Sequence, residues 1–312
     1  MQKKSNTFDL CDKTHFGIAK GMGILIVILV HLTNRYLNFP VLSPVAGAMV
    51  AIFLICSGYG LSESFKYKNL SNYWGNKFVK IWVPSFIQVS IVALIGMVGL
   101  KVWLTNSPLF LYGWYLQVLF YDYALFWIAY KFVKNEKVSL GLLFAISIIT
   151  FLLLKSQIYA EQLLCFPIGV AFSQLNLKNK VEKFSIIKSL MVLGLLVSVV
   201  VGVWLLRNTF NNYIMFNAVW LVIKTTFAIV TIYGIYVFRK IPLLKMFIPF
   251  GSMSYALYLL NNYTLKVLEK CEVNIWSVLF ALALTFVSAF VYSKICDWIY
   301  KQYIVLKKEV KI

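Results

Sequence analysis

The amino-acid sequence predicts an all-α integral membrane protein with about ten transmembrane helices and both termini in the cytoplasm. Of its 312 residues, 61% are hydrophobic and only 13% are charged, whereas a soluble domain carries roughly 25% charged residues. Apolar runs of at least about 18 residues recur along the chain, and each is long enough to cross the hydrocarbon core of a bilayer. The basic residues are concentrated in alternate loops. We therefore expect a single membrane domain over residues 1–312, without an appended soluble domain.

The predicted spans follow the apolar runs, and the short polar segments between them are the predicted loops. The sixth and ninth runs are short and contain Gly or Asn, which weaken a helix. An even number of spans places both termini on the same side of the membrane. The ten predicted spans are 16–36, 44–65, 81–103, 109–130, 138–154, 162–175, 187–206, 215–238, 251–268 and 275–299.

The positions of the lysines and arginines predict the orientation. With the N-terminus in the cytoplasm, 21 of the 30 basic residues lie in inner segments and 5 lie in outer loops. These loops are short, which is the range in which an excess of Lys and Arg marks the cytoplasmic side. In a soluble protein the net charge of +19 would suggest a nucleic-acid partner. Here the positive charge lies in short loops between apolar spans and is explained by the orientation of the protein in the membrane. We therefore expect membrane lipids and no nucleic acid among the partners.

The first span carries Lys20 and His31, two polar residues that are unusual inside a membrane helix. They are eleven positions apart, which on an α-helix is about 16 Å of rise and close to three full turns, so both lie on one face. Asn34 and Arg35 continue that face beyond His31. A histidine can act as a general base, and a lysine can bind an anionic group. Alternatively, Lys20 extends to the interface and His31 bonds a neighbouring helix; the shared face favours function.

A basic segment, Lys66 to Pro84, lies between the second and third predicted spans and is interpreted as a cytoplasmic loop. Its Lys77 and Lys80 are three positions apart, and a helix would place both on one side. Such a segment, flanked by aromatic residues, is able to bind phosphate groups or anionic lipid headgroups. Its composition alone favours the lipid alternative.

Other polar residues within the spans include Ser57, Asp122 and Asn261. A carboxylate inside the membrane is a candidate for a functional site, and an ion pair between Asp122 and Lys224 is an equally good interpretation. The five cysteines are scattered and predict neither disulfides nor a metal site. The sequence lacks a Walker A loop, an HExxH motif and a nucleophile elbow, which argues against ATP-driven transport and metalloprotease chemistry. A transporter or flippase for a small solute or lipid-linked sugar is the alternative to an enzyme.

Five segments, in the same order along the chain, resemble the motifs of the acyltransferase 3 family of membrane O-acyltransferases. The first is a basic residue followed by ten spacers and a histidine, and the others resemble the FFxxSGFLL, FxxRRxxRIxPPY, WFL…Y and GxxSYxxYLxH motifs of that family. Lys20 occupies a position where the family often has arginine. Asn261 occupies the position of the last histidine, so His31 is expected to be the only histidine embedded in the membrane. The segments are Lys20–His31, Phe53–Leu61, Asn72–Pro84, Gly113–Tyr123 and Gly251–Leu260.

The resemblance implies an acyl-CoA donor, most often acetyl-CoA, and a hydroxyl acceptor on a surface polysaccharide or lipid-linked glycan, in the cytoplasmic membrane of a bacterium. It implies no permanently bound cofactor. We expect Lys77, Lys80 and Lys20 to bind the donor's phosphates, and His31 to act, together with Lys20, as general base or acyl carrier. No metal ligand is expected. Further candidates for substrate binding are Asn34, Arg35, Ser57, Asp122, Tyr255 and Asn261.

Overall fold

The computed structural model describes residues 8–36, 42–97, 99, 101, 103 and 113–309. Within these residues the chain forms helices and no β-strand, which confirms the predicted all-α fold. Short 3₁₀ turns at Pro242–Phe247 and Leu265–Lys270 flank the helices of the ninth predicted span. The helices are α1 (Lys13–Tyr36), α2 (Ser43–Lys68), α3 (Tyr73–Leu94), α4 (Trp114–Phe132), α5 (Glu136–Leu153), α6 (Gln157–Ala160), α7 (Cys165–Gln174), α8 (Leu177–Val181), α9 (Ile186–Leu205), α10 (Tyr213–Val237), α11 (Ile248–Ser252), α12 (Ser254–Thr264) and α13 (Ile275–Glu309).

Among the described residues, seven helices are long and apolar enough to cross a membrane: α1, α2, α3, α5, α9, α10 and α13. An eighth span results if α11 and α12 cross together with their 3₁₀ turns, although the chain bends by 71° between them. The chain is thus a multi-pass membrane protein. Helix α7 has ten residues and is about 15 Å long, half the thickness of a hydrocarbon core. The count of about ten spans therefore stays a prediction.

The basic segment contains more helix than the sequence suggested. Helix α3 begins at Tyr73 rather than at residue 81, so interpreting the whole segment as a loop is wrong. The turn before α3 contains two asparagines with positive φ, Asn69 and Asn72, each with φ of 52°. Asparagine tolerates this conformation better than most residues.

Helix α3 also continues past a proline. It widens into a π-helical turn at Phe78–Trp82 just before Pro84. A proline has no N–H to donate within a helix, and a wider turn at this point lets the helical path continue beyond it. Helical structure therefore extends over both Lys77 and Lys80, although the π turn changes the angle between their side chains.

The chain divides into two compact units, which are described separately. The first comprises Met1–Val30, Pro40–Asn69 and Tyr121–Ser252, and the second comprises His31–Phe39, Leu70–Phe120 and Met253–Ile312. Helices α1 and α4 each contribute residues to both units.

Glycines allow two helices of the first unit to pack backbone against backbone. A Cβ on Gly58 of α2 would lie only 2.2 Å from the carbonyl oxygen of Phe166. A Cβ on Gly169 of α7 would lie 2.1 Å from the carbonyl oxygen of Ile55. Small residues at helix interfaces are a common means of association between membrane helices, because they increase van der Waals contact. The short α7 is thereby held tightly against α2.

A buried ion pair lies in the first unit, where Lys224 of α10 contacts Glu161 between α6 and α7. The two side chains are only 11% and 2% exposed, and Gln157 donates a further hydrogen bond to Glu161. The suggested ion pair between Lys224 and Asp122 is therefore wrong. Both carboxyl oxygens of Asp122 are buried without a hydrogen-bond partner in the described part of the chain.

Removing one member of this pair is expected to destabilise the protein. Glu161→Ala leaves the ammonium group of Lys224 buried and unpaired, a change that costs about 3–5 kcal/mol. We expect a clearly lower midpoint of thermal unfolding for the purified variant in detergent micelles. The double variant Glu161→Gln with Lys224→Met removes both charges and should recover most of the loss. A double variant as unstable as the single one would contradict this account.

In the second unit, tyrosine hydroxyls tie α3 to α12 and α13. Tyr255 of α12 donates a hydrogen bond to the carbonyl oxygen of Ile81 at 2.7 Å. Tyr292 of α13 donates to the carbonyl oxygen of Pro84. Both acceptors lie in or next to the π turn of α3, and a carbonyl oxygen has two lone pairs with which to accept such bonds. These bonds fix the three helices around the beginning of α3.

Candidate functional site

The second unit brings together His31 of α1 and Asn261 of α12, which are 230 positions apart in the sequence. His31 Nδ1 and Asn261 Oδ1 are 2.7 Å apart. Asn261 is fully buried, and its Nδ2 donates to the carbonyl oxygens of Leu257 and Tyr258, each at 2.8 Å. Because these two carbonyls use both protons of the amide, the amide oxygen is the atom that faces His31.

This arrangement determines the tautomer of His31. The oxygen of Asn261 can only accept, so Nδ1 of His31 carries the proton and donates it, while Nε2 keeps its lone pair. General-base catalysis at Nε2 requires this arrangement, in which an acceptor binds the Nδ1 proton and fixes the ring. His31 is half-buried, so part of the ring is open to a substrate. The geometry thus supplies an oriented base.

An ion pair forms the surface next to this base. Arg35, one turn beyond His31 on α1, lies with its Nε 3.3 Å from Oε1 of Glu269. Both side chains are roughly half exposed, at 43% and 47%, so the pair adds little to stability. Asn34 is half-buried on the same turn. This rim offers charged and polar groups to a polar substrate.

The two lysines at the beginning of α3 lie beside aromatic rings. Nζ of Lys77 is 5.7 Å from the centre of the Tyr73 ring, and Nζ of Lys80 is 4.2 Å from the centre of the Tyr300 ring on α13. Lys77 is half-buried and Lys80 is exposed. Cation–π contacts hold ammonium groups near such rings. Two neighbouring positive charges favour a phosphate or another anionic group.

Tyr258 packs against residues of Gly113–Tyr123, the fourth of the segments that resemble family motifs. Its ring packs against that of Tyr115 on α4, with centroids 4.9 Å apart and planes inclined by 66°. Gly113 precedes α4 with φ of +105°, a conformation that favours glycine, and a Cβ there would lie 3.1 Å from the hydroxyl oxygen of Tyr258. Tyr258, whose carbonyl oxygen accepts a hydrogen bond from Asn261, is therefore also held by packing against Gly113 and Tyr115. Tyr255, a predicted substrate-binding residue, uses its hydroxyl to reach Ile81.

The sequence-predicted residues divide between the two units. His31, Asn34, Arg35, Lys77, Lys80, Tyr255 and Asn261 belong to the second unit, whereas Lys20, Ser57 and Asp122 belong to the first. Lys20 and Ser57 are half-buried, and Asp122 is fully buried. Helix α1 runs without interruption from Lys13 to Tyr36, so Lys20 and His31 lie on one helix as predicted.

The other histidine of the chain, His15, has no exposed surface. Its Nδ1 accepts a hydrogen bond from the backbone N–H of Cys11 at 3.0 Å, and its Nε2 donates to the carbonyl oxygen of Ile232 at 2.8 Å. Cys11 has φ of 61°, and this turn brings its N–H back to the imidazole. Both ring nitrogens are used within the fold, so His15 has a structural role.

Several buried polar residues were not singled out from the sequence, among them Glu161 and Gln88. Glu161 forms the ion pair described above, and Gln88 of α3 is only 2% exposed. A signal for Gln88 was present in the sequence, since a glutamine in the middle of an apolar run is costly in a membrane and often functional. Glu161 lies just before the short sixth apolar run, outside any predicted span, so nothing in the sequence indicated that it is buried.

The comparisons with known proteins agree with the order of the motifs. A family model described as an acyltransferase domain, that of the acyltransferase 3 family, matches residues 16–294. No curated protein and no solved structure matches the chain. The matched range includes His31, Asn261 and both lysines at the beginning of α3.

Proposed function

This chain belongs to the acyltransferase 3 family, and from that premise we propose that it transfers an acyl group, in the first instance acetyl, from acyl-CoA to a hydroxyl group of a bacterial surface polysaccharide or lipid-linked glycan. The observation that carries the proposal is the hydrogen bond between His31 and Asn261, which leaves Nε2 of His31 as a base. A sugar hydroxyl is a weak nucleophile, and a positioned base accelerates its attack by about 10²–10⁴-fold.

In the proposed reaction, Nε2 of His31 removes the proton of the acceptor hydroxyl as its oxygen attacks the thioester carbonyl carbon. A carbon–oxygen bond forms, the carbon–sulfur bond breaks, and His31 returns the proton to the thiolate of CoA. Asn261 accepts the hydrogen bond from Nδ1 throughout and so keeps the ring in position. If His31 carries the acyl group instead, the same Nε2 is the nucleophile.

We propose that the donor binds from the cytoplasm. The distribution of basic residues supports an even number of spans with both termini in the cytoplasm, and in that topology Lys77 and Lys80 lie on the side where acyl-CoA is found. These two lysines then bind its phosphates. Lys20 is proposed to assist them on the basis of the family resemblance, and the acceptor is proposed to approach from the outer side, towards which His31 lies.

A direct test separates the enzyme from a transporter. Inverted membrane vesicles of cells that produce the chain expose its cytoplasmic side, and they contain the host's own glycans. They should release CoA from added acetyl-CoA and transfer a radiolabelled acetyl group to glycan. Release no faster than in vesicles without the chain would instead favour a transporter or flippase.

The role of Asn261 is tested by removing its acceptor. Asn261→Leu keeps the branched shape of the side chain but leaves the Nδ1 proton of His31 without a partner, so the other tautomer becomes populated. We expect acetyl transfer to fall about 10–100-fold, as is common when the residue that orients a functional histidine is lost. Asn261→Asp keeps an acceptor oxygen and should retain more activity than Asn261→Leu.

The comparison is made at equal amounts of protein in the membrane. Equal rates for wild type and Asn261→Leu would mean that Asn261 does not orient the base.

A further inference from the structure

The buried glutamine of α3 has an unused donor. Gln88 is 2% exposed, and its Nε2 has no hydrogen-bond partner among the described residues. Leaving a buried donor unsatisfied is unfavourable, because the group loses its hydrogen bonds to water and gains none in return. Buried polar side chains are otherwise nearly always bonded, and each exception calls for an explanation.

Three polar side chains of the helices around α3 make hydrogen bonds elsewhere in the second unit. The hydroxyl of Tyr292 donates to Pro84, one turn before Gln88 on the same helix. The hydroxyl of Tyr255 donates to Ile81, and both amide protons of Asn261 are used by its own helix. None of these groups accepts a hydrogen bond from Nε2 of Gln88, which has no partner among the described residues, so we look for its acceptor in a bound substrate.

Residue counts along α3 and α12 indicate where Gln88 lies relative to His31, the candidate base. Tyr255 and Ile81 connect the beginning of α12 to the beginning of α3, and the two helices also pack against each other further along. Gln88 lies seven residues beyond Ile81, about 10.5 Å along α3 and nearly on the same face. Asn261 lies six residues beyond Tyr255, about 9 Å along α12. From these residue counts we infer that the Gln88 amide and the pair of His31 and Asn261 lie at a similar level along the two helices.

The same helix carries the lysines proposed for the donor. Lys77 and Lys80 precede Gln88 by eleven and eight residues, which is about 16 Å and 12 Å along α3. An acyl-CoA whose phosphates lie at these lysines would extend its pantetheine arm along α3 towards Gln88. The thioester would then reach the level of His31.

We propose that Gln88 Nε2 donates a hydrogen bond to the thioester carbonyl oxygen of the acyl donor and stabilises the negative charge that this oxygen gains when the acceptor attacks. This inference rests on the proposed function. The charge passes back into the carbonyl group as the carbon–sulfur bond breaks, so no further reactant is needed. Donors of this kind, placed before the reaction in a site without water, are among the largest contributions to acyl transfer.

The test variant is Gln88→Met, which keeps the length of the side chain and removes the donor. With acetyl-CoA as donor and the native membrane glycans as acceptor, we expect kcat per amount of chain to fall about 10²-fold, the effect of losing one such donor. The KM for acetyl-CoA should stay within about twofold, because the bond strengthens mainly in the transition state. The matched control is Gln302→Met, at an exposed glutamine of α13, which should leave kcat unchanged.

Protein amount and thermal stability are measured for each variant, so that a loss of folding is not read as a loss of chemistry. If Gln88→Met folds less well, Gln88→Leu supplies a second apolar variant that also lacks a hydrogen-bond donor. An unchanged kcat, or a raised KM for acetyl-CoA with an unchanged kcat, would overturn the role of Gln88. Wild-type vesicles that release no CoA would refute the proposed function itself.

Discussion

Replacing His31 by alanine is expected to abolish measurable acyl transfer while leaving the protein in the membrane. A general base contributes about 10²–10⁴-fold to such reactions, and Asn261 holds His31 in the tautomer that this role requires. The side chain is only half-buried, so its loss should affect folding less than the loss of a core residue. The measurement is the transfer of radiolabelled acetyl groups to glycan in inverted vesicles.

Two variants of the same helix serve as controls. Leu29→Ala, two positions before His31 and 47% exposed, should keep its activity, because it changes the helix without touching the base. His15→Ala removes a fully buried imidazole with two hydrogen bonds and should lower thermal stability more than His31→Ala. Near-normal glycan acetylation by His31→Ala would refute the proposed mechanism.

The fold was predictable where a local pattern dictates it. Membrane helices follow from composition, because a run of apolar residues is stable in a bilayer only as a helix that satisfies its own backbone. Helix α1 was therefore predicted to within a few residues. The π turn before Pro84 was not, since nothing in the local sequence distinguishes a proline that ends a helix from one that a wider turn accommodates. The short α7 owes its position to contact with α2 through Gly58 and Gly169.

The site was predictable in part, for a related reason. His31 was found because a histidine inside an apolar run is unusual, whatever its partner. Its partner could not be derived from local sequence, because the two residues are 230 positions apart. Asn261 was noticed as a departure from the family motif, and in the structure this asparagine is the hydrogen-bond partner of His31. An asparagine oxygen can accept the Nδ1 proton of His31, which a histidine at this position does only through an unprotonated ring nitrogen.

The buried carboxyl groups illustrate the same limit. The sequence suggested Asp122 as the partner of Lys224, but Glu161 takes that place. The choice between two carboxylates depends on how α10 packs against the segment between α6 and α7, and a one-dimensional pattern does not contain it. Gln88 was overlooked although its position in an apolar run was visible. Its proposed role became visible only in the folded structure, where its amide donor has no partner among the described residues.

The double substitution Lys77→Ala with Lys80→Ala is expected to raise the KM for acetyl-CoA by at least about tenfold. Each charge-assisted hydrogen bond to a phosphate contributes about 1.5–3 kcal/mol, and a difference of about 1.4 kcal/mol already corresponds to a tenfold change. The kcat at saturating donor should change less, because neither lysine is proposed to touch the reacting atoms. The dependence on the acceptor should be unaffected.

The matched control is Lys131→Ala with Lys134→Ala, which removes two basic residues at the end of α4, one of which also contacts an aromatic ring. If lysines on this side only attract anionic lipid, both double variants should weaken the protein's interaction with the membrane surface to a similar degree. Neither should then change the KM for acetyl-CoA. If the KM for acetyl-CoA rises only when Lys77 and Lys80 are replaced, these lysines bind the donor's phosphates rather than lipid. Loss of a lipid contact would not change the concentration of donor needed for turnover.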